Sequence, residues 1–304
     1  MSTILVAGLT NIETTLRVDS FPIAYEPVRY PFNGIHSTVS GVGYNISKAL
    51  TTLGDSVRFL TLIGRDPARP MVLAALERDA LAREYVLSLA AETARSVIAY
   101  DADGRRAIFV DLKDMQERLY PAERFDAALT GCALAVLCNI NFTRPLLARA
   151  RRAGVPVATD VHTIASLDDP YNHDYMAAAD VLFMSDEALP APPEAWARRV
   201  LDRFGAAVVV IGLGAQGALL AVRADNFIER VPAVHARPVV STIGAGDALF
   251  SAFVHAYASG GDPYSAIRQA VVFAAHKIGT AGAAEGFLDA AALAALCQQV
   301  YERE

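Results

Sequence analysis

From residue 121 onward the chain alternates with a regular period. Helical stretches at 122–130, 145–153, 172–178 and 193–204 are each followed by a short apolar run, at 133–138, 155–159, 181–184 and 207–212. Parallel strands need a crossover of a dozen or more residues, usually a helix, so this alternation specifies a mostly parallel sheet covered on both faces. The strands agree. Ala207-Val208-Val209-Val210-Ile211 is apolar without a break, as a strand buried on both faces must be. Ile4-Leu5-Val6-Ala7-Gly8 and the run 57–63 extend the sheet. Residues 71–81, 245–259, 263–279 and 288–300 read as helices. The fold class is therefore α/β, a doubly wound and mostly parallel sheet.

Residues 14–40 break the pattern. Thr, Leu, Val, Phe and Tyr alternate there around Pro22, Pro27 and Pro31, which predicts two strands outside the main sheet. Asp103-Gly104 lies between the β-rich runs 96–100 and 107–110, a hairpin signal. The 304 residues allow one large domain or two small ones. Net charge is −6, and Lys and Arg are scattered; the group Arg149, Arg151 and Arg152 suits the end of its helix. No basic patch for nucleic acid is visible. Cys132, Cys138 and Cys297 lack metal-ligand spacing and read as reduced thiols, and residues 1–6 read as a strand rather than a signal, so a cytoplasmic protein is expected. Residues 205–222 are uncharged for 18 positions. Four glycines and Gln216 interrupt them, so a strand, a turn and a second strand are predicted there rather than a membrane span.

The chemistry concentrates in Ser241-Thr242-Ile243-Gly244-Ala245-Gly246-Asp247-Ala248-Leu249-Phe250. Three small residues lead into an apolar helical run. The first N–H groups of a helix lack internal partners and its dipole makes that end positive, so an anion, above all a phosphate, fits there. Asp247 puts a carboxylate among those donors. As a general base it would have a reason to stand beside a phosphate; a capped helix with Asp in its first turn is the plain alternative. The donors should favour its charged form.

This stretch resembles the C-terminal signature of the ribokinase-like sugar kinases, the PfkB family, whose pattern runs Asp-Thr-x-Gly-Ala-Gly-Asp. Gly41-Val42-Gly43-Tyr44-Asn45, opening a helix that Gly54 stops, resembles the N-terminal signature Gly-Gly-x-Gly-x-Asn, with Ser40 in place of its first Gly. The resemblance implies a single ribokinase-like kinase domain over 1–304. A small β lid would come from about 13–39 and 96–111, with strands at 13–20, 28–39, 96–101 and 106–111. It implies transfer of the ATP γ-phosphate to a hydroxymethyl group of a sugar or sugar-like compound, or to a nucleoside 5′-hydroxyl. Asp247 would be the base and the Gly244, Ala245 and Gly246 amides the anion hole. A non-catalytic sugar sensor is the alternative from another class. In relatives the first Asp of the signature often helps hold a monovalent cation. Ser241 stands there, so a cation requirement is open.

Asn11 and Glu13 follow the first strand and align with the family's Asn-x-Asp, one methylene longer at the acid. With Gly41, Gly43 and Asn45 they are the predicted acceptor contacts. Asn139 and Asn141 are added from the end of the strand at 133–138. Glycines beside a polyol let backbone approach it, and solvated strand ends or a glycine turn are the plain readings. Asp160 and His162 end the strand at 155–159, His162 read as a satisfied polar residue.

Gly212-Leu213-Gly214-Ala215-Gln216-Gly217 fits a dinucleotide fingerprint by letter, but a strand rather than a helix follows, so a glycine-rich hairpin is read instead. The resemblance makes Gly212, Gly214 and Gly217 ATP-side candidates, against a turn with no ligand. No Walker A loop is present. The family's Asn-x-x-Glu is replaced by Ser185-Asp186-Glu187, leaving Ser185 for ATP and Glu187 for Mg²⁺, or a helix N-cap. Tyr44 and the aromatic Phe21, Tyr25, Tyr30 and Phe32 could stack on a nucleoside base or pack the lid. ATP, Mg²⁺ and a small sugar or nucleoside are the implied partners, with homodimer formation through the β lid.

Overall fold

The computed structural model describes residues 2–302. In its first half, strands β1 (Thr3–Ala7), β2 (Asn11–Arg17) and β3 (Ile35–Ser40) precede helix α1 (Val42–Thr52). Next come β4 (Ser56–Gly64), α2 (Arg69–Arg78), β5 (Val86–Ala90), β6 (Ala94–Tyr100) and β7 (Arg106–Asp111). The regular part runs α3 (Ala122–Leu129), β8 (Leu134–Leu137), α4 (Arg144–Arg152), β9 (Val157–Thr163), α5 (His173–Ala178), β10 (Val181–Ser185), α6 (Pro193–Arg203) and β11 (Val208–Gly212). A hairpin partner β12 (Ala218–Val222), β13 (Phe227–Val231) and the helices α7 (Ala245–Gly260), α8 (Pro263–Lys277) and α9 (Ala290–Tyr301) complete it.

The main sheet has the order β13-β12-β11-β10-β9-β8-β1-β4-β5. From β11 to β5 all neighbours are parallel, and only β12 and β13 are antiparallel. Successive side chains of β1 go to opposite faces. Ile4 and Val6 join a core with α1, α7 and α8, while Leu5 and Ala7 join one with α3 to α6. Both faces are covered, which is why β8 and β11 are apolar throughout and β1 is from Ile4 onward, while polar residues in β9 gather toward its carboxyl end. The uncharged stretch 205–222 is the β11–β12 hairpin, and no helix among the described residues is long and apolar enough to cross a membrane.

A second sheet of four strands, β3-β2-β6-β7, stands apart. Its β2 pairs antiparallel with β3 and parallel with β6. The predicted 13–20 strand begins earlier and ends at Arg17; the 28–39 strand begins only at Ile35. Prolines 22, 27 and 31 bring no N–H to a ladder, so residues 18–34 stay outside it. The predicted 155–159 strand starts at Val157 and runs on to Thr163. Two strands escape sequence reading, β5 and β13. Both are edge strands of mixed burial; β13 carries Glu229 and Arg230 among its apolar residues, and β5 is only five residues long.

The chain leaves β1 toward β4 and β5, then returns to β8 on the other side of β1. The sheet's switch point is therefore β1/β8, and open α/β sheets bind ligands at the carboxyl ends of the strands there.

Candidate active site

Three segments meet at that edge. The turn after β1 leads into β2 with Asn11 and Glu13. The end of β3 and start of α1 bring Ser40 and Asn45. The start of α7 brings Asp247. Glycine makes the approach possible: a Cβ on Gly43 would stand 2.5 Å from the Gly8 carbonyl carbon, and one on Gly41 2.6 Å from the Leu9 oxygen. These glycines admit the chain's own backbone, so their need is met by packing without any bound polyol.

One hydrogen-bond chain joins the segments. Ser40 Oγ divides its proton between Glu13 Oε2 at 3.0 Å and Asn45 Oδ1 at 3.2 Å. Asn45 Nδ2 donates to Asp247 Oδ2 at 2.7 Å. Asn11 Nδ2 donates to Ser96 Oγ on β6, tying the small sheet to the same cluster. Glu13 Oε1 and Asn11 Oδ1 are buried without a partner. Buried polar atoms are rarely left so, because the desolvation cost is then not offset.

Gly244 enters α7 at φ 78°, where a Cβ would meet the Ala283 oxygen at 2.5 Å. Ala245 N–H is taken by the Thr242 carbonyl at 3.2 Å, so its amide is withdrawn from the predicted anion hole. The N–H groups of Gly246 and Asp247 have no acceptor within the protein, and Gly246 faces open space. Of the three amides the signature suggests, only Ala245 is taken; Gly244 and Gly246 stay open, and Asp247 joins them.

Asp247 keeps a partial opening to solvent. Burial nonetheless lifts its carboxyl to about 6, and Asp160 adds to the rise. The Asn45 hydrogen bond and the charges of His162 and Lys277 oppose it. This reverses the expectation that the helix donors would hold the group low: enclosure outweighs them. Glu13 is raised too, by burial first, with the Ser40 hydrogen bond opposing. At His162, burial works against the charge, but Asp160, whose Oδ2 lies 3.5 Å from Nδ1, outweighs it and lifts the imidazole to about 9. His162 also holds φ 56°, uncommon for a side chain of its size.

The remaining predicted residues fall into two other groups. Asn139 Nδ2 donates to Asn172 Oδ1, and Asn141 spends its side-chain N–H on the Gln116 carbonyl. Both amides serve the loop packing after β8 rather than the Asp247 chain. On the other side, Ser185 faces Gly212 across β10 and β11, and Asp186 N–H donates to the Gly212 oxygen. Gly214 is open, whereas a Cβ on Gly217 would strike the Val231 oxygen at 2.1 Å, so Gly217 is required by β13. The N-cap reading of Ser185 fails, because the next helix begins only at Pro193.

Sequence reading missed two cations. Arg106 of β7 donates to Thr242 Oγ1 at 2.7 Å and stands 3.8 Å from Glu187, linking the start of the α7 turn to the β10 loop. Lys277, fully buried at the end of α8, donates to the Ile243 carbonyl. A lysine in an apolar helix was the available signal. Tyr44 is also corrected: it is fully buried and donates to Asp79, so it cannot stack on a ligand. Tyr25, Tyr30 and Phe32 are 90, 75 and 87% exposed and do not pack the small sheet.

Residues 1–290 match the family described as pfkB family carbohydrate kinase. The chain is 30% identical to an acarbose 7(IV)-phosphotransferase of Actinoplanes over 95% of this chain and 96% of that protein. It is 28% identical to an ATP-dependent ribose-1-phosphate kinase of Halopiger xanaduensis, covering 93 and 94%. Among solved structures, a microbiome-derived acarbose kinase superimposes with a TM-score of 0.87 at 25% identity over 97% of this chain and 98% of that one. Arabidopsis thaliana ribokinase, solved with ribose and ATP, gives 0.82 at 19% identity over 98 and 99%, a likeness of fold.

The raised carboxyl of Asp247 has a consequence for stability. Its folded value of about 6 exceeds its unfolded one, so its contribution is present below the unfolded range and lost as pH rises through about 6. Urea unfolding of wild type and Asp247→Asn at several pH values should show the variant gaining relative stability from pH about 4 to about 6, with no further change above about pH 7. A difference that is flat across this range would show that Asp247 is not held high.

Proposed function

The chain belongs to the pfkB family of carbohydrate kinases, and we propose that Asp247 is the base with which it moves the γ-phosphoryl group of ATP to a hydroxymethyl group of a sugar or sugar-like acceptor. What carries this reading is the coincidence, in one helical turn, of a carboxyl lifted to about 6 and two N–H groups without an acceptor. A base works best when its own value lies near the operating pH. At neutrality Asp247 is ionised and takes the acceptor's proton as the hydroxyl attacks. The Gly246 and Asp247 N–H groups and the α7 dipole stabilise the charge that develops on the transferred group.

The acceptor lies over Glu13 and Asn11, whose unpartnered oxygens suit sugar hydroxyls. Asn45 and Ser40 hold Glu13 and Asp247 at a fixed separation. Gly41 and Gly43 shape the floor, with Asn139 and Asn141 behind it. The nucleotide lies along Ser185, Gly212, Gly214 and Gly217. No group of three or more acidic, His or Cys side chains able to cage a metal exists among the described residues. Glu187, exposed on the loop after β10, would be the residue to hold a Mg²⁺ ion. Such an ion neutralises the phosphoryl oxygens when bound. The small sheet serves as a lid that excludes water, hinged within a single domain. The enzyme works in the cytoplasm, in keeping with its three free cysteines.

Asp247→Asn keeps the shape and should lower kcat by about 10²–10⁴-fold, the range of a general base, while ATP binding survives. ADP release with a panel of sugars and nucleosides, beside calorimetry, measures both; a variant matching a turning-over wild type would remove Asp247 from the chemistry. Glu13→Ala should raise the acceptor KM, a loss of about 1.5–3 kcal/mol for a hydrogen bond to a charged group, and spare the ATP KM. Equal damage to both would make Glu13 structural. Val97, Ile108, Phe109 and Val110 leave apolar surface exposed on the small sheet, which supports pairing of two lids. Sedimentation equilibrium should find a dimer, and Phe109→Glu should yield monomers; a monomeric wild type would end that part of the proposal.

A further inference from the structure

The family resemblance leaves a monovalent cation requirement open at Ser241, and the residues present can be tested for such a site. They do not fit one. Ser241 brings no charge, and its hydroxyl accepts from the Ile243 N–H at 3.2 Å. The Ile243 carbonyl is taken by Lys277 Nζ. Three neighbouring carbonyls are taken as well. Ile278 O accepts from Val240 and Ser241, Lys277 O from Thr280, and Glu285 O from the Thr280 hydroxyl. The Ala283 oxygen beside Gly244 accepts no hydrogen bond among the described residues, but the Ile243 oxygen, which opens the same turn, already carries an ammonium.

We propose that the Lys277 ammonium is the cation of this site, fixed by the chain itself on the Ile243 carbonyl in place of a soluble potassium or sodium ion. The inference rests on the phosphoryl-transfer reading above. Three observations carry it. Lys277 has no exposed surface, and a buried lysine without a task is costly. Its partner is the carbonyl immediately before Gly244, so the bond anchors the turn that presents the open N–H groups of Gly246 and Asp247. And its charge acts on the reacting end of the site.

The ionisable groups that act on Lys277 come from four places. Burial lowers its value to about 8, while Asp247 on α7, Glu285 after α8 and Glu13 on β2 hold the charge in place, and Arg237 opposes it. It is therefore mostly protonated at neutral pH. In return it is one of the charges, with His162, that keep Asp247 from rising further. Lys277 is a positioning residue: it touches no reacting atom, but sets the turn and biases the base.

The test needs a wild-type arm and a variant arm. In wild type, exchanging potassium for tetramethylammonium at constant ionic strength should leave kcat, ATP affinity by calorimetry and Tm unchanged. Lys277→Ala should lose about 10²-fold in kcat, the scale for removing a fixed stabilising group at the transition state. Its acid limb should move up by about one pH unit, because an opposite charge beside Asp247 is gone. Ammonium or potassium should raise its Tm and restore part of its rate, since an ion that binds the native state stabilises it. Lys277→Met fills the space without charge and should show the same pH shift. A wild type that potassium activates about tenfold or stabilises against heat overturns the proposal, as does Lys277→Met with a wild-type rate and acid limb. If neither variant folds, the wild-type arm decides alone. If the wild type turns over no acceptor, the kinase reading fails, and Tm and ATP calorimetry still decide the cation.

Discussion

The hydrogen bond from Asn45 to Asp247 joins residues 202 positions apart, and the site exists only because it closes. Asn45 sits at the start of α1 and Asp247 at the start of α7, two helices packed together on one face of the sheet. Each helix points its N-terminal end at the same strand edge. The bond converts two separate helix ends into one polar surface, and Ser40 extends it to Glu13 on the small sheet. Removing any member leaves a buried polar group without a partner, which costs more than the bond itself contributes.

Much of the fold could be read from the chain. The alternation after residue 121 set the parallel sheet, and apolar continuity set its buried strands. The two glycine signatures named both helix ends that meet. What could not be read was contact made across distance. Nothing local tells that Ala245 gives its N–H to Thr242 while Gly246 keeps its own free. Lys277 and Arg106 are ordinary basic residues until the topology carries them to the α7 turn. The β3 boundary was misjudged because prolines leave an alternating pattern intact while removing the ladder donors. The rise of the Asp247 carboxyl was not legible, because the helix dipole is visible in sequence and enclosure is not.

Electrostatically the site is a balance rather than a simple positive cup. Glu13, Asp160 and Asp247 crowd one end of the sheet, with His162 and Lys277 set among them. Pairing each acid with a nearby cation or donor keeps the charges from driving one another neutral. Burial lifts Asp247 to about 6 and raises Glu13 as well.

The contact of Gly43 on Gly8 bears on how such a site can change. Beneath the Asn45–Asp247 cluster main chain rests on main chain, at separations no side chain would allow. A surface of that kind offers nothing for substitution to act on. Its shape is inherited with the fold, whereas residues 18–34, outside both sheets and largely exposed, can change without disturbing it. On the proposed kinase reading, a change of acceptor would come from such variable surface while the Gly8–Gly43 contact, and with it the meeting of Asn45 and Asp247, stays as it is.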